Sequence, residues 1–311
     1  MKLAIIGSGY VGLERRITGG YETSALRKAF QFRGHDVVLI DPTKTTFGVI
    51  DNECFARATV RETIHDASDF DAILVRRTFL KADEIIDFCM FAQKSNPNLF
   101  VADSVETLAR APSKADSIAR RAGYSWQQDT QFIGNIGDLD PRLEFPLVSK
   151  PMFGTQGRGV RLCETREELA EELVADYKTD KGYTTLVQRD VTGDREYRVV
   201  VVDGKALGVC TKPPPISGRG FARNSGYVSE FNTYDGSNRR TVLKLAESVS
   251  LLMGLYFSGI DIIEKDGELT VLECNRNPQF KKFDFALGIR TADYVADAIE
   301  KSVNATCLNQ R

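Results

Sequence analysis

Apolar and polar residues follow a regular order over the first hundred positions of the chain. Short apolar runs alternate with longer stretches that place an apolar residue every three or four positions, the period of an amphipathic helix. The predicted strands are residues 3–6, 36–42, 70–76 and 99–102, and the predicted helices are residues 22–32 and 82–92. Strands that alternate with helices predict an open parallel sheet with helices on its faces, which is an α/β arrangement.

The pattern changes after residue 103, where strands follow one another more often. The predicted helices are residues 114–122, 166–176, 239–255 and 291–302, and the predicted strands are residues 145–151, 185–191, 196–202 and 206–210. Residues 212–226 are rich in Pro, Gly and Arg, and residues 280–290 are rich in Lys and Phe. Both segments are expected to be loops, and the second half of the chain is expected to be α+β.

A β-hairpin is predicted over residues 259–278. Glu273 and Asn275 are two residues apart on its second strand, so their side chains point to one face, and Asn277 follows at the same spacing. Asp261 lies on the first strand and could join them. Two carboxylates with amide oxygens suit a hard cation such as magnesium. The alternative is a surface hairpin whose acidic residues are merely solvated.

A glycine-rich loop is predicted at residues 152–160, directly after the strand 145–151. Its glycines expose backbone N–H groups, and Thr155 and Arg158 add polar and basic side chains, a combination that suits phosphate oxygens. An ordinary hairpin loop is the alternative. Lys150 favours phosphate binding, because a lysine on an apolar strand needs a partner.

A second glycine pattern, Gly7-x-Gly9-x-x-Gly12, follows the first strand, and Asp41 ends the next one. The pattern is that of a dinucleotide-binding loop, which would make the protein an NAD-dependent dehydrogenase. Two details disfavour this interpretation. The helix begins near Glu22 rather than within the loop, and Asp41 lies 29 residues past Gly12, where about 20 are expected.

Composition and charge exclude several classes of protein. The net charge of −2 gives no support for non-specific nucleic-acid binding, and no apolar run reaches the length of about 20 residues that spans a bilayer. The first apolar run is too short for a signal peptide. Six scattered cysteines indicate reduced thiols and a cytoplasmic location. His35 and His65 lie outside every motif and are expected to be ordinary surface or loop residues.

Four segments, taken in order, resemble the ATP-grasp superfamily. They are most similar to the RimK-like carboxylate–amine ligases, a group that includes glutathione synthetase and LysX-type enzymes. The segments are residues 103–104 with 113–114 and 122–123; 148–151 with 154–160; 187–191 with 196–198; and 259–261 with 272–278. Each motif alone is weak, and their combination at family-like spacing is specific.

The resemblance implies a fold and a domain division. We expect an ATP-grasp fold preceded by an open parallel α/β domain. The expected parts are an N-terminal domain over residues 1–105, a small central subdomain over residues 106–190 and a C-terminal subdomain over residues 191–311.

The resemblance also implies roles for particular residues. Lys114 and Lys150 would hold the ATP phosphates, which the glycine loop would cover. The implied nucleotide-binding residues are Lys114, Lys150, Gly154, Thr155, Gln156, Gly157, Arg158, Gly159, Gln188, Arg189, Asp190, Val191, Glu196 and Arg198. The implied metal ligands are Asp261, Glu273 and Asn275, and the implied catalytic residues are Arg219, Arg223 and Asn277.

The activity implied by the resemblance is ATP-dependent joining of a carboxylate to an amine through an acyl phosphate, with release of ADP and phosphate. ATP and one or two magnesium ions, with manganese as an alternative, are the implied cofactors. The implied partners are small-molecule or peptide substrates rather than nucleic acid or membrane. Whether the protein forms a homo-oligomer stays open.

Three departures from the family pattern leave the two substrates undetermined. Arg189 stands where the family usually has Glu, the large loop reads Phe221-Ala222-Arg223-Asn224 with its Arg shifted by one position, and Gln279 and Lys281-Lys282 replace the usual Gly and acidic residues. A nucleotide-binding regulatory module without turnover is a further alternative. The full set of implied metal ligands argues against it.

Overall fold

The fold is taken from a computed structural model. It describes residues 1–7, 20–76, 82–110, 113–152, 159–178, 184–190, 193, 195–212 and 230–308.

The N-terminal part contains a parallel four-stranded sheet. Its elements are β1 (Lys2–Ile6), α1 (Tyr21–Phe32), β2 (Asp36–Ile40), β3 (Thr45–Ile50), β4 (Glu53–Val60), β5 (Thr63–Asp66), β6 (Ala72–Val75), α2 (Ala82–Ser95) and β7 (Phe100–Val101). The parallel sheet has the order β2-β1-β6-β7, so β1 and β6 lie at its centre. The predicted alternation of strands and helices and the parallel pairing are confirmed.

A three-stranded antiparallel meander, β3-β4-β5, is inserted between β2 and β6. The apolar pattern of the sequence predicts no element over residues 45–66. Its inner face packs Ala56 and Ala58 against the helix α2 side of the parallel sheet, and its small, mixed residues give only a weak two-residue period. Packing against the rest of the N-terminal part, and not the local sequence pattern, therefore identifies the meander.

The central part is an antiparallel sheet of the order β10-β9-β11-β8. Its elements are α3 (Val105–Arg110), α4 (Lys114–Arg121), β8 (Thr130–Ile133), β9 (Leu147–Pro151), β10 (Arg161–Cys163), α5 (Arg166–Lys178) and β11 (Thr185–Arg189). Ser113 caps α4, because its hydroxyl accepts a hydrogen bond from the Asp116 N–H at 3.1 Å. The apolar face of the sheet packs against α5 around Leu147, Val187 and Leu169.

The C-terminal part is a five-stranded antiparallel sheet of the order β14-β13-β12-β15-β16. Its elements are β12 (Arg195–Val202), β13 (Lys205–Lys212), β14 (Asn232–Thr233), α6 (Arg239–Leu252), β15 (Phe257–Lys265), β16 (Glu268–Arg276), α7 (Lys281–Leu287) and α8 (Thr291–Leu308). One face is apolar along its whole length and packs on α6 through residues such as Tyr197, Val199 and Ile260.

The other face of this sheet is divided. Toward one end, Val200, Val202 and Phe257 belong to a core that also contains Leu3 and Ile5 of β1 and the buried face of α8. The N-terminal sheet, the C-terminal sheet and the last helix therefore share one apolar cluster. Toward the other end the same face carries charged side chains, described below.

The hairpin predicted over residues 259–278 is present as β15 and β16. Its turn has Asp266 at φ 52° and Gly267 at φ 81°, the left-handed pair that a two-residue hairpin turn requires. The predicted loop over residues 280–290 is wrong. Helix α7 occupies Lys281–Leu287, because Phe280 and Phe283 are fully buried and Gly288 ends the helix at φ 64°.

The predicted loop over residues 212–226 lies outside the described residues except for Lys212, which ends β13. The division at residues 105 and 190 remains a prediction. Of the helices that the structure describes, none has both the length and the apolar run that crossing a membrane requires.

Candidate active site

One face of the central sheet presents polar side chains opposite to its packed face. Lys150 on β9 is the register partner of Leu186 on β11, and Gln188 lies two residues further along β11, so all three share that face. The Lys150 ammonium donates to Gln188 Oε1 at 2.6 Å, and Gln188 Nε2 donates to Thr130 Oγ1 at 2.8 Å. Lys150 thus has the partner that its place on an apolar strand demands, and it points away from α5.

Lys114 approaches the same region from the first turn of α4. Its ammonium donates to the carbonyl oxygen of Pro151, the residue after Lys150. Burial lowers the pKa of Lys150 to about 8 and also lowers the pKa of Lys114, while the negative charge of Glu273 acts in the opposite direction on both. The negative charge on strand β16 of the C-terminal sheet therefore influences the pKa of both lysines.

The charged end of the C-terminal sheet is built by three strands. Asp261 on β15 is the register partner of both Arg198 on β12 and Glu273 on β16. A β-bulge follows Asp261, and Asn275 Nδ2 donates to Glu273 Oε1 at 2.6 Å. The predicted metal-binding residues Asp261, Glu273 and Asn275 are thus brought together on one face.

Lys212, the last residue of β13, is a member of this cluster that the sequence analysis missed. Its buried ammonium lies 2.5 Å from Glu196 Oε1 and 2.9 Å from Asp261 Oδ1, and Arg198 Nε lies 3.1 Å from Asp261 Oδ1. A signal was available, because the 206–210 strand could be extended by two residues and Glu196 pairs with Lys212 in that register. Because residue 212 was included in the predicted loop over residues 212–226, Lys212 was not expected to belong to the cluster.

The pKa values of the Asp261 and Glu273 carboxyl groups are shifted in opposite directions. Burial raises the pKa of Asp261 to about 7, although Arg198 and Lys212 act against this shift. Burial alone would also raise the pKa of Glu273, but hydrogen bonding with the Asp261 carboxyl and the charge of Lys212 lower it to about 2. Of the two carboxyl groups, Glu273 is therefore the one that gives up its proton more readily.

The cluster fits a hard cation. Both oxygens of Asp261 are buried, and the ion pairs of this carboxyl group with Lys212 and Arg198, at 2.9 and 3.1 Å, are both made through Oδ1. The donor set is two carboxylates with the amide oxygen of Asn275, the oxygen-only chemistry that magnesium prefers. Within the described ranges, no group of three or more His, Cys, Asp or Glu side chains is arranged so that it could hold a metal ion by itself. Oxygen atoms of the substrate or of water would therefore complete the coordination.

Asn277 lies slightly apart from this set. It has a left-handed backbone at φ 64°, and its Oδ1 is 3.5 Å from Nη1 of Arg76 at the end of β6. Arg76 is a second residue that sequence reasoning missed, because its position after a strand gave no sign of a contact 201 residues away.

The remaining predicted nucleotide-binding residues are placed as follows. Arg189 is exposed and pairs with Asp129 at 3.2 Å, while its carbonyl oxygen accepts from Gln128 Nε2. The Asp190 N–H donates to the Pro146 carbonyl oxygen at 3.3 Å, and Gly159 lies at φ 79° just before β10. Glu196 forms an ion pair with Lys212, and Arg198 forms one with Asp261.

Eight predicted residues fall outside the described ranges, and their roles stay predictions. They are Gly154, Thr155, Gln156, Gly157, Arg158, Val191, Arg219 and Arg223. Gly9 and Gly12 of the dinucleotide-like pattern also fall outside them. Asp41 is described, and its carboxylate accepts hydrogen bonds from the backbone and hydroxyl of Thr43 at 3.0 and 2.9 Å, which is a capping role.

A basic sheet face opposed to an acidic hairpin matches the resemblance noted in the sequence, and comparison with known proteins decides the family. Residues 102–299 match the model of the RimK-like ATP-grasp domain. The chain belongs to the RimK-like ATP-grasp family. The predicted ATP-grasp fold is confirmed, and the protein is an ATP-grasp ligase.

Family relatives extend over nearly the whole chain. A protein of Syntrophotalea carbinolica named "Probable alpha-L-glutamate ligase" is 27% identical over 94% of this chain and 95% of its own length. Among solved structures, the D-alanine–D-alanine ligase of Bacillus anthracis in complex with ATP superposes with a TM-score of 0.67 at 16% identity, covering 99% of each chain.

A third neighbour is the ATP-grasp ligase PsnB in complex with a minimal precursor, magnesium and ADP. It superposes with a TM-score of 0.67 at 16% identity, covering 97% of this chain and 98% of PsnB. At these identities the two superpositions establish that this RimK-like protein shares their fold.

Proposed function

We propose that the protein is an ATP-dependent carboxylate–amine ligase that forms an amide bond through an acyl phosphate. The single observation that carries the proposal is the opposition of two charged surfaces. Helix α4, which begins with Lys114, contacts strand β16 directly, because Arg121 Nη1 donates to the Val271 carbonyl oxygen at 3.0 Å. The negative charge of Glu273 on the same strand acts to raise the pKa of both Lys114 and Lys150, against the effect of burial. A polyphosphate with its counter-cation has complementary charge to both surfaces.

The two lysines act on ATP as fixed cations. Lys150 is held by Gln188 at 2.6 Å and Lys114 by the Pro151 carbonyl, so both ammonium groups are oriented before nucleotide binds. Each contact is to a neutral acceptor, which leaves the positive charge for the phosphates. Positioning and charge neutralisation are what phosphoryl transfer requires from a protein.

Asp261, Glu273 and Asn275 would hold one or two magnesium ions, which supply neutralisation of the phosphate charge when bound. Lys212 and Arg198 pair with Asp261 at 2.9 and 3.1 Å. Both cations lie beside the place where negative charge shifts during transfer, and we assign them the stabilisation of that charge.

The chemistry proceeds in two balanced steps. An oxygen of the substrate carboxylate attacks the γ-phosphorus while the bond to the ADP oxygen breaks, which gives an acyl phosphate and ADP. The neutral amine nitrogen of the second substrate then attacks the acyl carbon, phosphate leaves with one oxygen of the original carboxylate, and the proton that the nitrogen loses is taken up by the departing phosphate. Exclusion of water protects the acyl phosphate, and we assign this role to the segments 153–159 and 212–226 of the sequence.

The relatives narrow the substrate class. We infer that an amino acid or a peptide supplies the reacting groups, because one relative is named a probable alpha-L-glutamate ligase and another structure of PsnB is a complex with the precursor peptide PsnA2. Glutamate and acidic peptides are therefore the first substrates to test.

An isotope experiment tests the proposal directly. Purified protein is incubated with magnesium-ATP and pooled amino acids or short peptides whose carboxylates carry heavy oxygen, and ADP, phosphate and product are followed by mass spectrometry. Transfer of one heavy oxygen to the released phosphate supports an acyl phosphate. ADP release with unlabelled phosphate indicates hydrolysis of ATP by water and contradicts the ligase mechanism.

A further inference from the structure

A pair of arginines joins the end of β6 in the N-terminal sheet to the end of β16 in the C-terminal sheet. Arg76, directly after β6, donates from Nη2 to the Pro278 carbonyl oxygen at 3.3 Å. Arg276, the last residue of β16, donates from Nη1 to the Val75 carbonyl oxygen at 3.2 Å. Each strand end thus sends an arginine to the backbone of the other, and we name this pair the arginine clasp.

The clasp is buried and has its own counter-charge. Arg76 and Arg276 are both nearly inaccessible to solvent, and Asp103 lies 3.7 Å from Arg276 Nη1 and is influenced by the charge of Arg76. The Arg76 guanidinium also lies 5.5 Å from the centre of the Phe257 ring. Burying two guanidinium groups is costly unless they are paired and hydrogen-bonded. In the arginine clasp, the backbone carbonyl oxygens of Pro278 and Val75 and the carboxylate of Asp103 supply these partners.

The clasp reaches the segment that follows the metal-binding strand. Ladder pairing ends at Arg276, and Asn277 turns the chain with a left-handed backbone at φ 64°, a conformation that asparagine adopts more readily than most residues with a side chain. Arg76 contacts this segment twice, at Asn277 Oδ1 (3.5 Å) and at the Pro278 carbonyl oxygen. From the other side, Gly259 makes room for Pro278, because a Cβ at Gly259 would lie 2.7 Å from Pro278 Cβ.

We propose that Arg76 is a positioning residue of the ligase, which holds Asn277 and Pro278 so that the end of β16 presents Asn275 and Asn277 to the active site. The proposal rests on the proposed function for its catalytic consequence. Its structural part, the anchoring of residues 275–278 by a residue of the N-terminal sheet, stands independently. A displacement of about 1 Å in such a segment is enough to slow catalysis by up to about a hundredfold.

The position of the clasp predicts which kinetic parameter changes. The lysines assigned to ATP lie on the central part, and the clasp contacts neither of them. Loss of Arg76 should therefore lower kcat while leaving KM for ATP within about threefold of wild type. A protein that was merely less stable would lose active molecules in proportion to its stability, and this calls for a matched control.

The test compares Arg76→Met and Arg76→Lys with Arg33→Gln. Arg33 also joins the N-terminal part to the C-terminal part, through Asp297 at 2.8 Å and Asp293 at 3.3 Å on α8, but far from the site in sequence and in contacts. Hydrogen exchange of peptides covering residues 274–280 is measured by mass spectrometry, together with thermal stability and the rate of ADP release at varied ATP.

We expect Arg76→Met to exchange faster over residues 274–280 and to lose about ten- to a hundredfold in kcat, and Arg76→Lys, which keeps the charge and can still donate, to recover part of both. Arg33→Gln should lower stability without either change. Normal exchange over residues 274–280 in Arg76→Met would overturn the proposal. So would a loss of kcat that Arg33→Gln reproduces at equal stability. If wild type releases no ADP with any substrate, the proposed function fails, and faster exchange in Arg76→Met still supports the anchoring.

Discussion

At the scale of single residues, Lys150 is the most informative position. Its ammonium donates a hydrogen bond to Gln188 Oε1 at 2.6 Å on the polar face of the central sheet. The negative charge of Glu273 acts to raise the pKa of Lys150, against the effect of burial. We expect Lys150→Met to fold and to release ADP about thirty- to a thousandfold more slowly at subsaturating ATP, because a charge-assisted contact to phosphate is lost. Lys150→Arg should restore part of the rate, since a planar guanidinium does not reproduce a compact ammonium. Wild-type rates in Lys150→Met would contradict the assignment.

The lowered pKa of Lys150 gives a pH dependence with a definite sign. Burial lowers this pKa to about 8, so the ammonium is present below about pH 8 and is lost as the pH rises above that value. ATP needs the charged form, and its affinity should therefore fall above about pH 8, by at most about tenfold per pH unit. Calorimetric titration with a non-hydrolysable ATP analogue measures this. Lys150→Arg, which stays charged, should remove the part of the dependence that Lys150 contributes, while Lys114, whose pKa is also lowered, still titrates.

Glu273 provides the corresponding test of the acidic side. Glu273→Gln should fold but lose most ligase activity, because one anionic ligand of a hard cation is removed. Glu268→Gln, an exposed position at the start of the same strand, is the matched control and should stay active. ADP release is measured over a range of magnesium concentrations. Near-normal turnover of Glu273→Gln at saturating magnesium would show that the metal assignment is wrong.

At the scale of elements, the hairpin β15–β16 depends on its turn. Gly267 has φ 81°, and no atom lies within 4 Å of a Cβ built on it, so Gly267→Ala changes only the backbone energy. We expect a loss of about 1–2 kcal/mol in the free energy of unfolding, measured by urea denaturation. Gly7→Ala, where no described residue beyond the chain neighbours lies within 4 Å of the added Cβ and φ is not positive, should change stability by no more than about 0.5 kcal/mol. Equal effects of the two substitutions would contradict the role of the turn.

At the scale of the whole molecule, α8 completes the apolar cluster shared by the N-terminal and C-terminal sheets. Ile299 of α8 is fully buried there together with Leu3 and Phe257. Ile299→Ala should cost about 2–5 kcal/mol and lower the protection of β1 and β15 together in hydrogen exchange, because both contribute to one core. Leu251→Ala, at a side chain that is 77% exposed, is the control and should have little effect. Loss of protection in only one sheet would show that the two parts are stabilised separately.

The local pattern of the sequence determined much of this protein. Alternating strands and helices predicted the parallel sheet, the Asp266–Gly267 turn predicted the hairpin, and the two-residue period of β16 placed Glu273 and Asn275 on one face. These features depend on neighbours in the chain, and local geometry decides them. The resemblance of four motifs then led to the correct family.

Tertiary structure decided what depends on distant residues. The meander β3–β5 and helix α7 form because their small or aromatic residues are buried by other elements, and no local period announces them. Lys212 belongs to the site only because β13 pairs with β12, and Arg76 reaches Asn277 only because two sheets meet end to end. Long-range pairing and burial set the charge, the pKa and the partners of these side chains, and such terms are absent from any single stretch of sequence.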